Sequence, residues 1–202
     1  METIIFATKN KGKIMEFNTK SIFVAMVGKP NVGKSSLMNL ILGEKIAIVT
    51  QKPQTTRTSI TGILTKGATQ FVFMDTPGIH TPRTKLGERM VKTSHKTIAD
   101  VDLAVMIFEP YGELNEAEMS LVDSIKKNRI PAIAVVNKKD TLKKEADLEK
   151  QMKMLGEIGV FDKVVSTSAK NNDGVEELLA LIDSYAMEGP HYFEEDAITN
   201  MP

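Results

Sequence analysis

The stretch Gly28-Lys29-Pro30-Asn31-Val32-Gly33-Lys34-Ser35 decides the fold. It fits the pattern G-x-x-x-x-G-K-[ST], between a strand-like run at 22–27 and a helix-like run at 35–42. Glycines in such a loop let the backbone curl, so that successive N–H groups surround a phosphate at the start of a helix. A chance glycine-rich turn would lack this strand–loop–helix context. The pattern therefore predicts a loop that binds the phosphates of a nucleotide.

Two side chains of this loop have predicted roles. Lys34 should bridge the terminal phosphates, and the Ser35 hydroxyl should bind Mg²⁺. The residues expected to contact the nucleotide here are Asn31, Val32, Gly33, Lys34, Ser35 and Ser36.

From residue 21 onward, short apolar runs alternate with longer amphipathic segments, which predicts a parallel sheet wrapped by helices. The predicted fold is α/β, a P-loop NTPase with a doubly wound, mostly parallel six-stranded sheet and helices on both faces. Ligands of such sheets bind at the carboxyl ends of the strands. The strand candidates are residues 22–27, 59–64, 70–74, 103–108, 132–136 and 163–166. The helix candidates are residues 35–42, 85–99, 116–127, 143–155 and 174–187.

A second motif, Asp75-Thr76-Pro77-Gly78, follows the apolar strand candidate at 70–74. We expect Asp75 to hold Mg²⁺ and the Gly78 N–H to contact the γ-phosphate. The polar stretch at 50–58 lies between the two motifs. If Thr56 reaches the metal only while the γ-phosphate is present, this loop is a switch; the alternative is an ordinary polar loop. The predicted metal ligands are Ser35, Thr56 and Asp75.

The run Asn137-Lys138-Lys139-Asp140 indicates which base is bound. An aspartate carboxylate accepts hydrogen bonds from the N1–H and 2-amino groups of guanine, and adenine has neither donor. Each charge-assisted bond contributes roughly 1.5–3 kcal/mol, so two of them discriminate on the order of a hundredfold or more. The predicted ligand is GTP or GDP.

The predicted base site is completed by a three-residue motif, Ser168-Ala169-Lys170, which follows the last strand candidate. The Ala169 N–H would contact the guanine O6, and Lys170 would lie over the base. The residues expected to contact the base are Asn137, Lys138, Asp140, Ser168, Ala169 and Lys170.

Composition excludes several other classes of protein. Lys+Arg 26 and Asp+Glu 26 leave no net charge, so the chain lacks the basic excess of a dedicated nucleic-acid binder. The absence of cysteine excludes disulfides and thiolate zinc sites. No apolar run is long enough for a transmembrane segment. We expect a cytoplasmic monomer.

The motifs match those of the translation-factor-like GTPases, and longer stretches resemble the Era-type GTPases. These stretches are PNVGKSSLMN, QKPQTTR, DTPGIHTPRTKLGERM and GPHYFEED. The resemblance runs from about residue 18 to residue 202. It implies hydrolysis of GTP to GDP and phosphate as a conformational switch, associated with assembly of the small ribosomal subunit and its 16S rRNA.

Both ends of the chain depart from that family. Era-type proteins carry a KH RNA-binding domain after the GTPase domain, whereas this sequence ends within what resembles the linker. We therefore expect a GTPase domain over 18–188 and a linker remnant over 189–202, with RNA binding weakened. Residues 1–17 instead resemble the start of the inosine triphosphate pyrophosphatases. We expect a foreign leader here rather than a second site.

Ile79 stands where many small GTPases have a glutamine that orients the attacking water. Unaided hydrolysis should then be around or below the roughly 10⁻⁴ s⁻¹ of unassisted small GTPases. Some GTPases that lack this glutamine use K⁺, held by an asparagine in the phosphate loop. By this resemblance Asn31 would hold K⁺ beside the β–γ bridge and neutralise developing charge; the alternative is that Asn31 only hydrogen-bonds within the loop. The residues expected to take part in catalysis are Asn31, Lys34, Thr56 and Gly78.

Two other functions stay open at this stage. One is a non-catalytic guanine-nucleotide-binding module, which the isoleucine at the glutamine position would suit. The other is an ATP-using enzyme with the same phosphate loop, which would not prefer GTP.

Asp140→Asn should move the base preference from guanine to xanthine, because an amide can donate to the 2-oxo group of xanthine. Competition between GTP and XTP for the variant measures this, with the unsubstituted chain as control. We expect the preference for GTP to fall on the order of a hundredfold. A variant that keeps its GTP preference would show that Asp140 does not read the base.

Overall fold

The computed structural model describes residues 18–43, 60–75 and 101–193, and a mostly parallel sheet lies at their centre. Two central strands, with the sequences LAVMIF and AIAVV, are buried at every residue, as is typical of parallel strands covered on both faces. The strands are β1 Lys20–Gly28, β2 Ile60–Lys66, β3 Thr69–Asp75, β4 Leu103–Phe108, β5 Ala132–Val136, β6 Lys163–Ser166 and β7 Met187–Glu188. The helices in these ranges are α1 Lys34–Leu42, α2 Glu116–Asn128, α3 Glu145–Glu157 and α4 Val175–Asp183, with a 3₁₀ turn at Lys139–Thr141.

The strand order is β2-β3-β1-β4-β5-β6, and β1 pairs in parallel with β3 on one side and β4 on the other. The order of the strands therefore reverses at β1, with later strands added on both sides of it. Doubly wound sheets bind ligands at the carboxyl ends of the strands where this reversal occurs. Strands β4, β5 and β6 continue in parallel, whereas β2 and β3 form an antiparallel hairpin. The carboxyl ends of β1, β5 and β6, which carry the predicted motifs, therefore lie along one edge.

Helices cover both faces of the sheet, as predicted. On one face α1 and α4 bury side chains such as Leu37, Ile41 and Leu178 against β1, β3 and β4. On the other face α2 and α3 bury side chains such as Leu121 and Leu155. Each fully buried side chain of this size stabilises the fold by about 1.5–3 kcal/mol. The α/β architecture with two apolar layers is confirmed.

The C-terminal part of the described fold differs from the prediction. The helix predicted over 174–187 ends at Asp183, and residues 187–188 form β7 instead. Strand β4 pairs with β1 only from Val24 onward, so β7 can pair antiparallel with Lys20 and Ser21. The described residues therefore contain seven strands rather than six.

Residues 189–193 continue along the sheet after β7. The Gly189 N–H donates to the Thr19 carbonyl oxygen at 3.0 Å. The buried Gln70 side chain accepts from the N–H groups of Tyr192 and Phe193, at 2.8 and 3.0 Å, and donates to the Phe193 carbonyl oxygen at 2.8 Å. This part of the predicted linker thus packs on the end of the sheet opposite the motifs.

Several predictions fall outside the described residues. They are the helix at 85–99, the leader at 1–17, the polar stretch at 50–58 and the last residues of the linker. Within the described ranges, no helix has the length and apolar character needed to cross a membrane.

Candidate nucleotide-binding site

The phosphate loop begins at Gly28, which pairs with Ile107 of β4. A Cβ on Gly28 would collide with the Ile107 carbonyl oxygen, so this position requires glycine. Asn31 and Gly33 have φ of 63° and 102°, in the left-handed region. The backbone therefore curls through the loop and enters α1 at Lys34.

Lys34 folds back over this loop. Its Nζ donates to the carbonyl oxygens of Gly28 and Lys29, at 2.9 and 2.7 Å. The first turn of α1 has neither an acidic residue nor a side-chain cap, and Ser35 and Ser36 are exposed there. The N–H groups at the start of a helix and the positive end of the helix dipole favour an anion at this point. The loop therefore has the geometry and charge of a phosphate site.

Asn137 connects this loop to the base motifs. Its side chain is fully buried, and its Nδ2 donates to the Val32 carbonyl oxygen at 2.8 Å. Its Oδ1 accepts from the Thr167 hydroxyl and from the Ala169 N–H, both at 3.1 Å. Gly33 leaves the room for this amide, since a Cβ there would collide with Asn137 Nδ2. One side chain thus joins three loops.

The Asp140 carboxylate stands at the far end of this site. Its Oδ1 accepts a hydrogen bond from the Ser168 hydroxyl at 2.6 Å, while the residue itself is exposed. Ser168 is buried and pairs with Asp173 through two main-chain hydrogen bonds. The carboxylate is therefore held in one orientation while remaining accessible to a base.

Lys138 and Lys139 are fixed by their own ion pairs. Lys138 has φ of 64°, and its Nζ lies 2.8 Å from Glu109 Oε1. Lys139 Nζ lies 2.8 Å from Asp173 Oδ2, and the Lys139 N–H donates to the Thr167 carbonyl oxygen at 3.1 Å. These contacts tie the loop after β5 to the loop after β4, through Lys138, and to the loop after β6, through Lys139.

The structure brings together most of the predicted site residues, along the carboxyl ends of β1, β5 and β6. Ala169 is half-buried and Lys170 is exposed beside Ser168. Thr56, Gly78 and Ile79 lie outside the described residues. The residues that meet at this edge are Asn31, Val32, Gly33, Lys34, Ser35, Ser36, Asn137, Lys138, Asp140, Ser168, Ala169 and Lys170.

The backbone positions of two predicted magnesium ligands, Ser35 and Asp75, are compatible with a shared ion. Ser35 lies in the first turn of α1, and Asp75 ends β3, which runs beside β1 with Asp75 opposite Met26. A hydroxyl and a carboxylate are the hard oxygen ligands that Mg²⁺ takes beside phosphate oxygens. The backbone thus brings both predicted ligands to the same end of adjacent strands.

Sequence reasoning missed three residues that hold the site, Thr167, Glu109 and Glu118. Thr167 and Glu109 contact motif residues from neighbouring loops, and no local pattern marks them. Glu118 forms an ion pair with Lys29 of the phosphate loop at 2.7 Å. Its only sequence signal is its place three residues after Asn115, which predicts a helix cap rather than a loop partner.

A family model described as 50S ribosome-binding GTPase matches residues 23–138, more than half of the 202 residues. The chain belongs to this GTPase family. The matched segment starts in β1 and ends within the base motif, so it includes the phosphate loop and Asn137. The P-loop GTPase fold predicted from the motifs is therefore confirmed.

Relatives within the GTPases point to Era. The chain is 43% identical over 182 residues to GTPase Era of Clostridium novyi, covering 90% of this chain and 62% of that protein. Its fold matches a structure of Aquifex aeolicus Era bound to GDP·AlF4⁻ with a TM-score of 0.75 and 31% identity, over 91% of this chain and 63% of the other. A structure of Era with MgGDPNP and nucleotides 1506–1542 of 16S ribosomal RNA matches with a TM-score of 0.76, 31% identity and the same coverage. The chain thus spans about three fifths of the length of these relatives.

Asn137→Asp should destabilise this GTPase fold and abolish nucleotide binding. The change removes the donor to Val32 and buries a carboxylate beside a carbonyl oxygen. We therefore expect the free energy of unfolding to fall by at least about 3 kcal/mol. Urea unfolding and GDP titration measure the two effects. Thr167→Val is the matched control, because it removes one bond to the same amide and should cost about 0.5–1.5 kcal/mol. Equal effects of the two variants would contradict the role given to Asn137.

Proposed function

We propose that the chain binds GTP and hydrolyses it to GDP and phosphate, so that the bound nucleotide sets a conformational switch. The observation that carries this proposal is the Asn137 side chain, which joins the phosphate loop to the loops that hold Asp140 and Ala169. A carboxylate held by Ser168 is suited to guanine, because guanine supplies two donors to it. A nucleotide lying across this edge would meet both groups at once.

The chain's own residues have distinct tasks in this proposal. Lys34 Nζ exchanges its carbonyl partners for oxygens of the β- and γ-phosphates, and the first turn of α1 binds the phosphates through its N–H groups. Ser35 and Asp75, with Thr56 in the GTP state, would hold Mg²⁺. The metal neutralises charge on the phosphate oxygens. Gly78, whose N–H would contact the γ-phosphate, and Thr56 form the proposed switch.

Asn31 is the proposed holder of a potassium ion. It is exposed on the loop, and its side chain makes no hydrogen bond to any described residue. That observation favours a ligand role over a bond within the loop. Because Ile79 cannot orient water, a cation beside the β–γ bridge would supply charge stabilisation during hydrolysis.

The biological setting follows from the relatives. The family description names the 50S subunit, whereas one solved Era structure contains part of 16S ribosomal RNA. The more specific similarity is to Era, so we propose association with the small ribosomal subunit and its 16S rRNA, in the cytoplasm and as a monomer. We propose a GTPase domain over 18–188 and a linker over 189–202. The pyrophosphatase-like leader at 1–17 has no part in the activity.

Phosphate release from GTP under multiple turnover tests the proposal. With Mg²⁺ and KCl we expect slow but continuous release, and NaCl in place of KCl should lower the rate several-fold. Release no faster than that of the Lys34→Ala variant would favour a non-catalytic binding module.

The cation dependence has its own control, Asn31→Gly. Glycine adopts the left-handed backbone of this position freely, so the change removes the side chain without strain. We expect the variant to bind GDP and to hydrolyse GTP equally slowly in either salt. Equal rates of the unsubstituted chain in KCl and NaCl would rule out the potassium role and leave the GTPase proposal intact.

A further inference from the structure

The phosphate loop has an anchor that lies outside the nucleotide motifs. Lys29 occupies a variable position of the loop pattern, and its Nζ lies 2.7 Å from Oε2 of Glu118 in α2. The Glu118 side chain is 2% exposed and that of Lys29 is 30% exposed. A carboxylate buried to this degree requires a partner, because an unpaired charge there is strongly unfavourable. The pair is therefore a fixed contact rather than a solvated surface one.

The position of Glu118 is set by the helix that carries it. The Asn115 N–H donates to Glu118 Oε2, and the Glu118 N–H donates to Asn115 Oδ1, both at 2.9 Å. This reciprocal cap fixes the first turn of α2, and Leu121 and Ile125 bury the next turns in the core. The carboxylate is thus presented to the loop from a rigid element.

Lys29 is held at its main chain as well. Its carbonyl oxygen accepts from Lys34 Nζ at 2.7 Å, and its own Nζ also approaches the Glu113 carbonyl oxygen at 3.4 Å. A continuous set of contacts therefore runs from Glu118 through Lys29 to Lys34. Any displacement of Lys29 would move the backbone of the phosphate loop and one of the two carbonyl oxygens that Lys34 contacts in this structure.

We infer that Glu118 is a positioning residue that, through Lys29, sets the conformation of the phosphate loop and so the affinity for the β-phosphate of guanine nucleotides. The inference rests on the proposed function. Glu118 acts through Lys29 and does not itself bind the nucleotide. Its effect should be confined to nucleotides that reach the loop with a β-phosphate.

The test compares the dissociation constants of GDP for four variants, Glu118→Met, Asn115→Ala, Lys29→Met and the double variant of Glu118 and Lys29. Glu118→Met and Asn115→Ala each remove one of the two cap hydrogen bonds, but only the first frees Lys29. We expect Glu118→Met to weaken GDP binding about tenfold more than Asn115→Ala, equivalent to about 1.4 kcal/mol. The double variant should bind GDP no more weakly than Lys29→Met, because the two residues act as a unit.

Alternative roles of Glu118 predict different changes in GDP affinity. If Glu118 acted only by its charge, its removal would favour the phosphates and tighten GDP binding. If it acted only by capping α2, the Glu118 and Asn115 variants would bind GDP equally. Either result would overturn the inference, as would an equal loss of affinity for GMP, which has no β-phosphate.

Two measurements keep these outcomes separate from misfolding and from failure of the proposed function. Lys29→Met leaves the helix cap intact, so a loss of GDP affinity in this variant reports on the loop; unchanged affinity would also overturn the inference. Thermal unfolding of each variant confirms that binding is measured on folded protein. Absence of GDP binding by the unsubstituted chain would overturn the proposed function and this inference together, whereas normal binding with no Glu118 effect would overturn the inference alone.

Discussion

The fully buried amide of Asn137 donates to the Val32 carbonyl oxygen and accepts from the Thr167 hydroxyl and the Ala169 N–H. These partners belong to the phosphate loop and to the loop after β6, so that with its own loop after β5 Asn137 joins three loops that are far apart in the sequence. A buried amide must satisfy its donors and acceptors internally, so any shift of one loop leaves a polar group unpaired at a cost of about 1–3 kcal/mol. The phosphate end and the base end of the site are therefore positioned by the same side chain.

The rest of the site depends on this constraint and on the sheet below it. The strand order brings the carboxyl ends of β1, β5 and β6 to one edge, and Asn137 fixes the distance between the loops that follow them. Ser168 then orients Asp140 through a hydrogen bond to its carboxylate. Lys34 lies over the phosphate loop and donates to carbonyl oxygens of that loop, one of which belongs to Lys29. Two anchors from outside the motifs, Glu118 and Glu109, hold the lysines at either end. The neighbours of the motif residues thus hold them in place.

Local patterns predicted the part of this structure that depends on local physics. The run from Gly28 to Ser35 requires a curled backbone before a helix, and the apolar runs at β4 and β5 require burial on both faces, so both were predictable from spacing alone. Strand β7 was not, because its pairing depends on the shorter length of β4 beside β1. The contact of Glu118 with Lys29 joins residues 89 positions apart (118 − 29), and its sequence pattern indicates only a helix cap. Sequence therefore predicts candidate nucleotide-binding residues, while packing determines which residues hold them.

The central claim is that a carboxylate and a phosphate loop, joined through Asn137, read guanine and phosphate as one ligand. Equilibrium titration of the unsubstituted chain with GDP, IDP and ADP tests it most directly, because the three share the same phosphates and ribose. IDP lacks the 2-amino donor and should bind about tenfold more weakly than GDP. ADP lacks both donors and should bind more weakly than GDP by a factor on the order of a hundred or more. Equal affinities for the three nucleotides would contradict the account.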